Sequence, residues 1–196
     1  MLAKPIVTSD RGSAMLVPVD AARCGIVVSL AYATALNLSG RPIYRNPLCL
    51  LHREAAARLE RAAELAGAIG LRFKIFDAYR PPEAQWRLWE ACPDPDFVAD
   101  PRRGSPHSRG VAVDLTLIDR SGEELPMGTG FDATVEQSHH GRTDLPADAQ
   151  RNRLTLLGIM TAAGWDHYSK EWWHYQLFDA RRYPLIADGA LAPPLM

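Results

Sequence analysis

Apolar and polar positions fall into blocks along the chain, and each block has the period of one kind of element. Residues 25–30, GIVVSL, form a β-branched run that predicts a strand. Residues 32–44 contain Asn37, Gly40 and Pro42 and read as an irregular loop. From residue 50 to 69 the period lengthens. Leu51, Ala55, Leu59, Ala62, Ala66 and Ile69 recur three and four apart, with Arg and Glu between them, which predicts a helix that Gly70 ends. Over 71–77, Leu71, Phe73 and Ile75 alternate with Arg72 and Lys74, the pattern of a strand. It runs into Ala78-Tyr79-Arg80-Pro81-Pro82, and proline suits a first helical turn, so 82–91 predicts a helix carrying Trp86 and Trp89. A proline-broken loop over 93–106 leads to a strongly apolar strand over 111–118. Residues 128–147 look irregular. A helix is expected over 148–163 with Leu154, Leu157 and Met160 on one face, and Gly164 ends it. Residues 165–168 and 172–178 read as a final strand pair, close enough to form a hairpin. Helices and strands do not alternate as a doubly wound fold requires. The expectation is α+β: one compact domain over 1–196, a central antiparallel sheet and flanking helices.

Composition narrows the class. The 196 residues are 47% hydrophobic and 23% charged, which suits a soluble globular protein and excludes a mainly disordered or fibrous one. A chain of this length buries about 70% of its unfolded surface, so its core needs no disulfides. Cys24, Cys49 and Cys92 form no CxxC pair and fit a reducing compartment. The net charge of −1 gives no reason to expect a nucleic-acid partner. The opening MLAKPIVTSDRG lacks the apolar stretch of a signal peptide, since Pro5 and Asp10 interrupt it. The longest uncharged run, 24–40, has 17 residues broken by Ser29, Thr34, Asn37 and Ser39, short of the roughly 20 apolar residues of a spanning helix. Neither a membrane span nor export is expected, and the expected compartment is the cytoplasm.

Chemistry enters where strands begin and end. Asp114 lies in mid-strand, with the small Ala112 and Thr116 on its own face. A carboxylate there is costly to bury unless it is paired or metal-bound. His107 precedes it by an odd offset, so the two side chains converge only if the chain bends, and Gly110 permits a bend. His174 sits among aromatics in the last strand, with Glu171 three residues earlier, where that strand is expected to begin. Two His and one Asp make a three-ligand zinc site with a fourth position for water, and a nearby Glu that is not a ligand is then the expected general base. Spacing alone leaves plainer readings open. Either His can be a hydrogen-bonded core residue, and Asp114 can pair with an arginine. Trp172 and Trp173 read as core. His139 and His140, adjacent in a loop, read as exposed or as neighbours of a site.

The segment SPHSRGVAVDLTL, with FDAYRPPEAQ before it and EWWHY after it, resembles the vancomycin-resistance-type D-alanyl-D-alanine dipeptidases of the zinc D,D-peptidase superfamily. YATALNLSGRPIY, LWEACPDP, the GFD and SHH region and QRNRL extend the likeness, in order, over most of the chain. The resemblance implies one zinc ion held by His107, Asp114 and His174, with Glu171 as catalytic base and Arg80 facing the reacting carbonyl. It implies that Ser105 and Asp132 line a pocket for a small dipeptide. Members of the family usually carry Met two residues after the aspartate, where this chain has Thr134. The implied activity is hydrolysis of D-alanyl-D-alanine, in antibiotic resistance or in scavenging. A related D,D-carboxypeptidase or L,D-endopeptidase is the alternative within the superfamily. A zinc-binding domain without catalysis is the alternative outside enzymes, and such a domain has no need of Glu171.

Overall fold

The computed structural model describes residues 15–196. The N-terminal stretch over 1–12, in which an apolar leader core was sought, lies outside them. The chain begins with β1 (Leu16–Pro18), α1 (Ala21–Cys24) and β2 (Val27–Val28), followed by β3 (Leu50–His52) and α2 (Arg53–Ala68). Next come β4 (Arg72–Asp77), α3 (Pro82–Ala91), β5 (Ala112–Ile118), α4 (Ala147–Ala162), β6 (Asp166–His167) and β7 (His174–Gln176). The central sheet runs β2-β4-β5-β7-β6, and β1 pairs with β3 in a separate ribbon. Every central pairing is antiparallel except that of β2 with β4. The α+β class stands, with one parallel edge on an otherwise antiparallel sheet.

β5 is the axis of the molecule. All seven of its residues are buried, because helices cover one face of the sheet and the functional residues and the loops around them cover the other. Val113, Leu115 and Leu117 are fully inaccessible. Truncating Leu115 to alanine would cost about 2–5 kcal/mol through lost contacts and a residual cavity. α2 presents Ala55, Leu59, Ala62 and Ala66 to the core, the stripe its periodicity predicted. Trp172 and Trp173 are buried, as expected of core residues, and so is Trp165.

Four local expectations are corrected. The helix expected from residue 50 starts at Arg53. Leu50–His52 pair with β1 instead, and His52 Nδ1 accepts the Glu54 amide at 3.3 Å, capping α2. The expected strand over 25–30 shrinks to two residues at the sheet edge, where Val27 and Val28 are exposed. Only 174–176 of the last expected strand pair in a sheet, so Glu171 lies in the connection that precedes β7. On α4 the buried face is Ala149, Arg153, Leu156, Ile159 and Met160, while Leu154 is 66% exposed. The expected face differs from the observed one because a charged residue, Arg153, takes a buried position among the apolar ones.

Candidate active site

Strand register brings the polar residues together. Asp114 on β5 is the partner of His174 on β7, and on its other side of Asp77 on β4, just beyond a bulge between Ile75 and Asp77. A row of Asp77, Asp114 and His174 therefore crosses three strands. His107 reaches the row from a short 3-10 turn, His107–Arg109, that ends at Gly110 with φ 69°. That left-handed turn redirects the chain into β5. An added Cβ on Gly110 would run into the Leu16 side chain and the backbone nitrogen of His52. This is the bend that the odd offset between His107 and Asp114 requires.

The three side chains converge tightly. His107 Nε2 is 3.1 Å from His174 Nδ1 and 3.3 Å from Asp114 Oδ2. His174 Nδ1 is 3.1 Å from Asp114 Oδ1. One donor atom from each lies within 4.8 Å of the others, and all three residues are buried, so the group could hold a metal ion. The outer ring nitrogens fit that use. His107 Nδ1 stands 2.7 Å from the Ala78 carbonyl, and His174 Nε2 stands 3.1 Å from Gln176 Oε1. Each contact suits a ring N–H donated outward, which leaves the inward nitrogen with a free lone pair.

Charge tells the same story. Asp77, Asp114 and Glu171 are buried close together with Arg80, and Asp132 stands nearby. Ionised, the four carboxylates outnumber the one arginine, and a bound cation would offset the excess. Burial works to raise the Asp114 carboxyl, but the imidazoles of His107 and His174 outweigh it and hold the group below the ordinary range. Glu171 is held well above its ordinary value by burial and then by the charges of Asp114 and Asp132, with Arg80 opposing. Its Oε2 is 3.9 Å from His174 Nδ1, beside the group.

Arg80 ends β4's extension and is itself buried. Its backbone N–H donates to the His107 carbonyl at 3.2 Å, which pins it to the same turn. Nη1 donates to the Tyr32 hydroxyl at 3.2 Å, and that hydroxyl donates to Asp132 Oδ1 at 3.1 Å. Nε lies 3.4 Å from Asp77 Oδ2. Ser105 is buried and its Oγ accepts the His107 amide at 3.2 Å. Arg80, Ser105, His107, Glu171 and His174 line one cavity of about 210 Å³. That is below the roughly 300–1,000 Å³ of pockets for drug-sized molecules and suits a small ligand. Asp132 does not line it and reaches the site through Tyr32.

Sequence reading missed Asp77, Tyr32 and Gln176. Asp77 carried the signal used for Asp114, a carboxylate in an apolar strand, yet it was passed over as a strand end. Tyr32 and Gln176 carried none, because their partners are distant in sequence or polar only in context. His140 is not one of the three convergent donors, but its ring meets the Glu171 backbone and packs against His167 at 5.0 Å and Tyr175 at 6.3 Å. Cys24, Cys49 and Cys92 are free thiols outside the group.

Comparison with known proteins agrees with this geometry. The D-ala-D-ala dipeptidase family matches residues 12–189. A D-alanyl-D-alanine dipeptidase of Escherichia coli (strain K12) is 50% identical over 161 residues, covering 82% of this chain and 83% of the relative. Proteins of the same name from Enterococcus faecium and Streptomyces coelicolor are 35% and 34% identical, over 79% and 81% of this chain and 87% and 89% of their own lengths. With the family match spanning nearly its whole length, the chain belongs to the D-ala-D-ala dipeptidase family.

Proposed function

We propose that this protein hydrolyses the free dipeptide D-alanyl-D-alanine to two D-alanines, as a single domain over residues 1–196 with one zinc ion held by His107, Asp114 and His174. The observation that carries the reading is a carboxylate outside the ligand group, Glu171, buried beside it in a cavity that also holds Arg80. The His107–His174 spacing of 3.1 Å is close to the edge of a zinc tetrahedron, about 3.3 Å for ligands at 2.0–2.1 Å, and each imidazole has an Asp114 oxygen within 3.3 Å. When bound, zinc supplies Lewis acidity toward the scissile carbonyl and a water that is nucleophilic near neutral pH.

The chain's own residues do the rest. Glu171 accepts the proton of the attacking water and returns it to the leaving amine. Its raised proton affinity suits a group that must carry a proton between two steps. Arg80 donates to the carbonyl oxygen as negative charge builds there, and it stays protonated throughout. Asp132, outside the cavity wall and linked to it through the Tyr32 hydroxyl, supplies the negative charge that holds the substrate ammonium. Ser105 meets the substrate carboxylate or backbone. A cavity of this size suits a small dipeptide.

The test is an assay of D-Ala-D-Ala beside L-Ala-L-Ala, with zinc quantified in the same preparation. Turnover of the D,D dipeptide, its loss on chelation and its recovery with zinc are expected. A zinc-bearing protein that cleaves neither would support the non-catalytic alternative, and preference for longer cell-wall peptides would support the carboxypeptidase or endopeptidase alternative.

A further inference from the structure

Arg153 lies on the buried face of α4, 5% exposed, and it forms no ion pair with a carboxylate among the described residues. A buried guanidinium without a counter-charge is costly, and a leucine or methionine would pack that face more cheaply. Its donors go to neutral acceptors instead. Nε donates to the Met127 carbonyl at 2.6 Å, Nη1 to the His139 carbonyl at 3.0 Å and Nη2 to Thr129 Oγ1 at 3.3 Å. The guanidinium carbon sits 5.7 Å from the centroid of the Trp172 ring.

These partners belong to two pieces of the candidate active site. Met127 and His139 bracket the segment that carries Asp132, whose backbone is held in the left-handed region at φ 59°. Trp172 directly follows Glu171. Its indole N–H donates to the same Thr129 hydroxyl at 2.8 Å, and its backbone N–H donates to the Ser138 carbonyl at 3.0 Å. Ser138 Oγ in turn donates to the Ala133 carbonyl, next to Asp132, at 2.6 Å. One buried cation thus ties the Asp132 loop at both ends and, through Thr129 and the Trp172 ring, ties that loop to the turn bearing Glu171.

We propose that Arg153 is a positioning residue that fixes the Asp132 loop against the Glu171 turn, so that the amine anchor and the general base act on one bound dipeptide. The inference rests on the dipeptidase reading above.

The experiment compares the zinc-loaded wild type with Arg153→Met, Arg153→Lys and Thr129→Val. Two readouts are taken: amide hydrogen exchange, and kcat and KM for free and N-acetylated D-Ala-D-Ala. Arg153→Met should keep its zinc while exchange quickens over 127–140 and 169–173 and β5 stays protected. KM for the free dipeptide should rise about tenfold or more, in line with the cost of displacing a positioned group by an ångström. The blocked dipeptide cannot use the ammonium anchor, so its kcat/KM should change less and the free-over-blocked ratio should fall. Arg153→Lys should recover part of the ratio. A purely structural role would lower the active fraction, so that kcat falls equally for both substrates with KM and the ratio unchanged; that result overturns the proposal. If Arg153→Met does not fold, Thr129→Val, which removes the shared acceptor together with the Thr129–Ser138 hydroxyl contact and leaves Arg153 in place, decides by the same ratio. If the wild type cleaves neither substrate, the dipeptidase reading fails, and exchange decides the clamp: unchanged protection over both segments overturns it.

Discussion

Asp77 and Asp114 face each other as register partners on adjacent strands, two buried carboxylates with His107 reaching both. Like charges in that position repel, so cations must hold the pair together. Asp77 has Arg80 Nε at 3.4 Å and the Tyr44 hydroxyl donating at 2.8 Å. Asp114 has the two imidazoles and, in the proposed enzyme, the metal.

Asp77→Asn follows from that pairing. The amide keeps the shape but removes the charge that orients Arg80 and lies 3.6 Å from His107 Nδ1. Loss of such an outer partner typically costs about 10–100-fold in metal affinity or activity. A variant with wild-type turnover and metal affinity would show that Asp77 is only a packed core residue.

The three ligands should be separable from the rest of the site. Alanine at His107, at Asp114 or at His174 should abolish tight metal binding, since three protein ligands are the usual minimum for such a site. Metal analysis after dialysis checks this. Unchanged zinc retention by His107→Ala would remove that residue from the ligand set.

Arg80→Lys keeps a positive charge but loses the planar donor array. By analogy with a lost oxyanion donor, kcat should fall about 10²–10³-fold, with KM little changed if the contact belongs to the transition state. A raised KM with kcat intact would instead make Arg80 a holder of the substrate carboxylate.

Acidity supplies a fourth test. Asp132 is pushed up to about 6 by burial and then by the charge of Asp114, against the opposing Arg80 charge and Tyr32 hydrogen bond. As an ammonium anchor it must be ionised, so KM for the free dipeptide should climb as pH falls through about 6. The linkage to stability has the reverse sense. A carboxyl whose folded value lies above its unfolded value of about 3.9 takes up protons on folding between the two. Stability therefore declines as pH rises from about 4 to 6 and then levels off. Asp132→Asn should raise the melting temperature more at pH 8 than at pH 4; an equal gain at both would contradict the assignment.

Much of this site was legible because its parts are local. His107, Gly110 and Asp114 fall within eight residues, and Glu171 and His174 within four, so turn chemistry and strand period bear on each cluster. What escaped was set by pairing across the sheet. Asp77 gains its meaning from the register of β4 against β5, and Tyr32 from a partner one hundred residues away. The β2 edge was overread because two valines look alike on a central and on an edge strand. Arg153 shows the limit of periodicity: a buried cation among apolar positions turned the apparent face of α4 away from its true one.

The central claim is that one buried carboxylate does the proton transfer at a metal group it does not help to build. Glu171→Gln tests it most directly, with metal content and turnover of D-Ala-D-Ala measured on the same sample. The amide is nearly isosteric and Glu171 is not among the three convergent ligands. The account predicts one zinc per chain, as in wild type, and a rate lower by about 10²–10⁴-fold or more, because the group serves both the attacking water and the leaving amine. Full zinc content with turnover within a few-fold of wild type would contradict it.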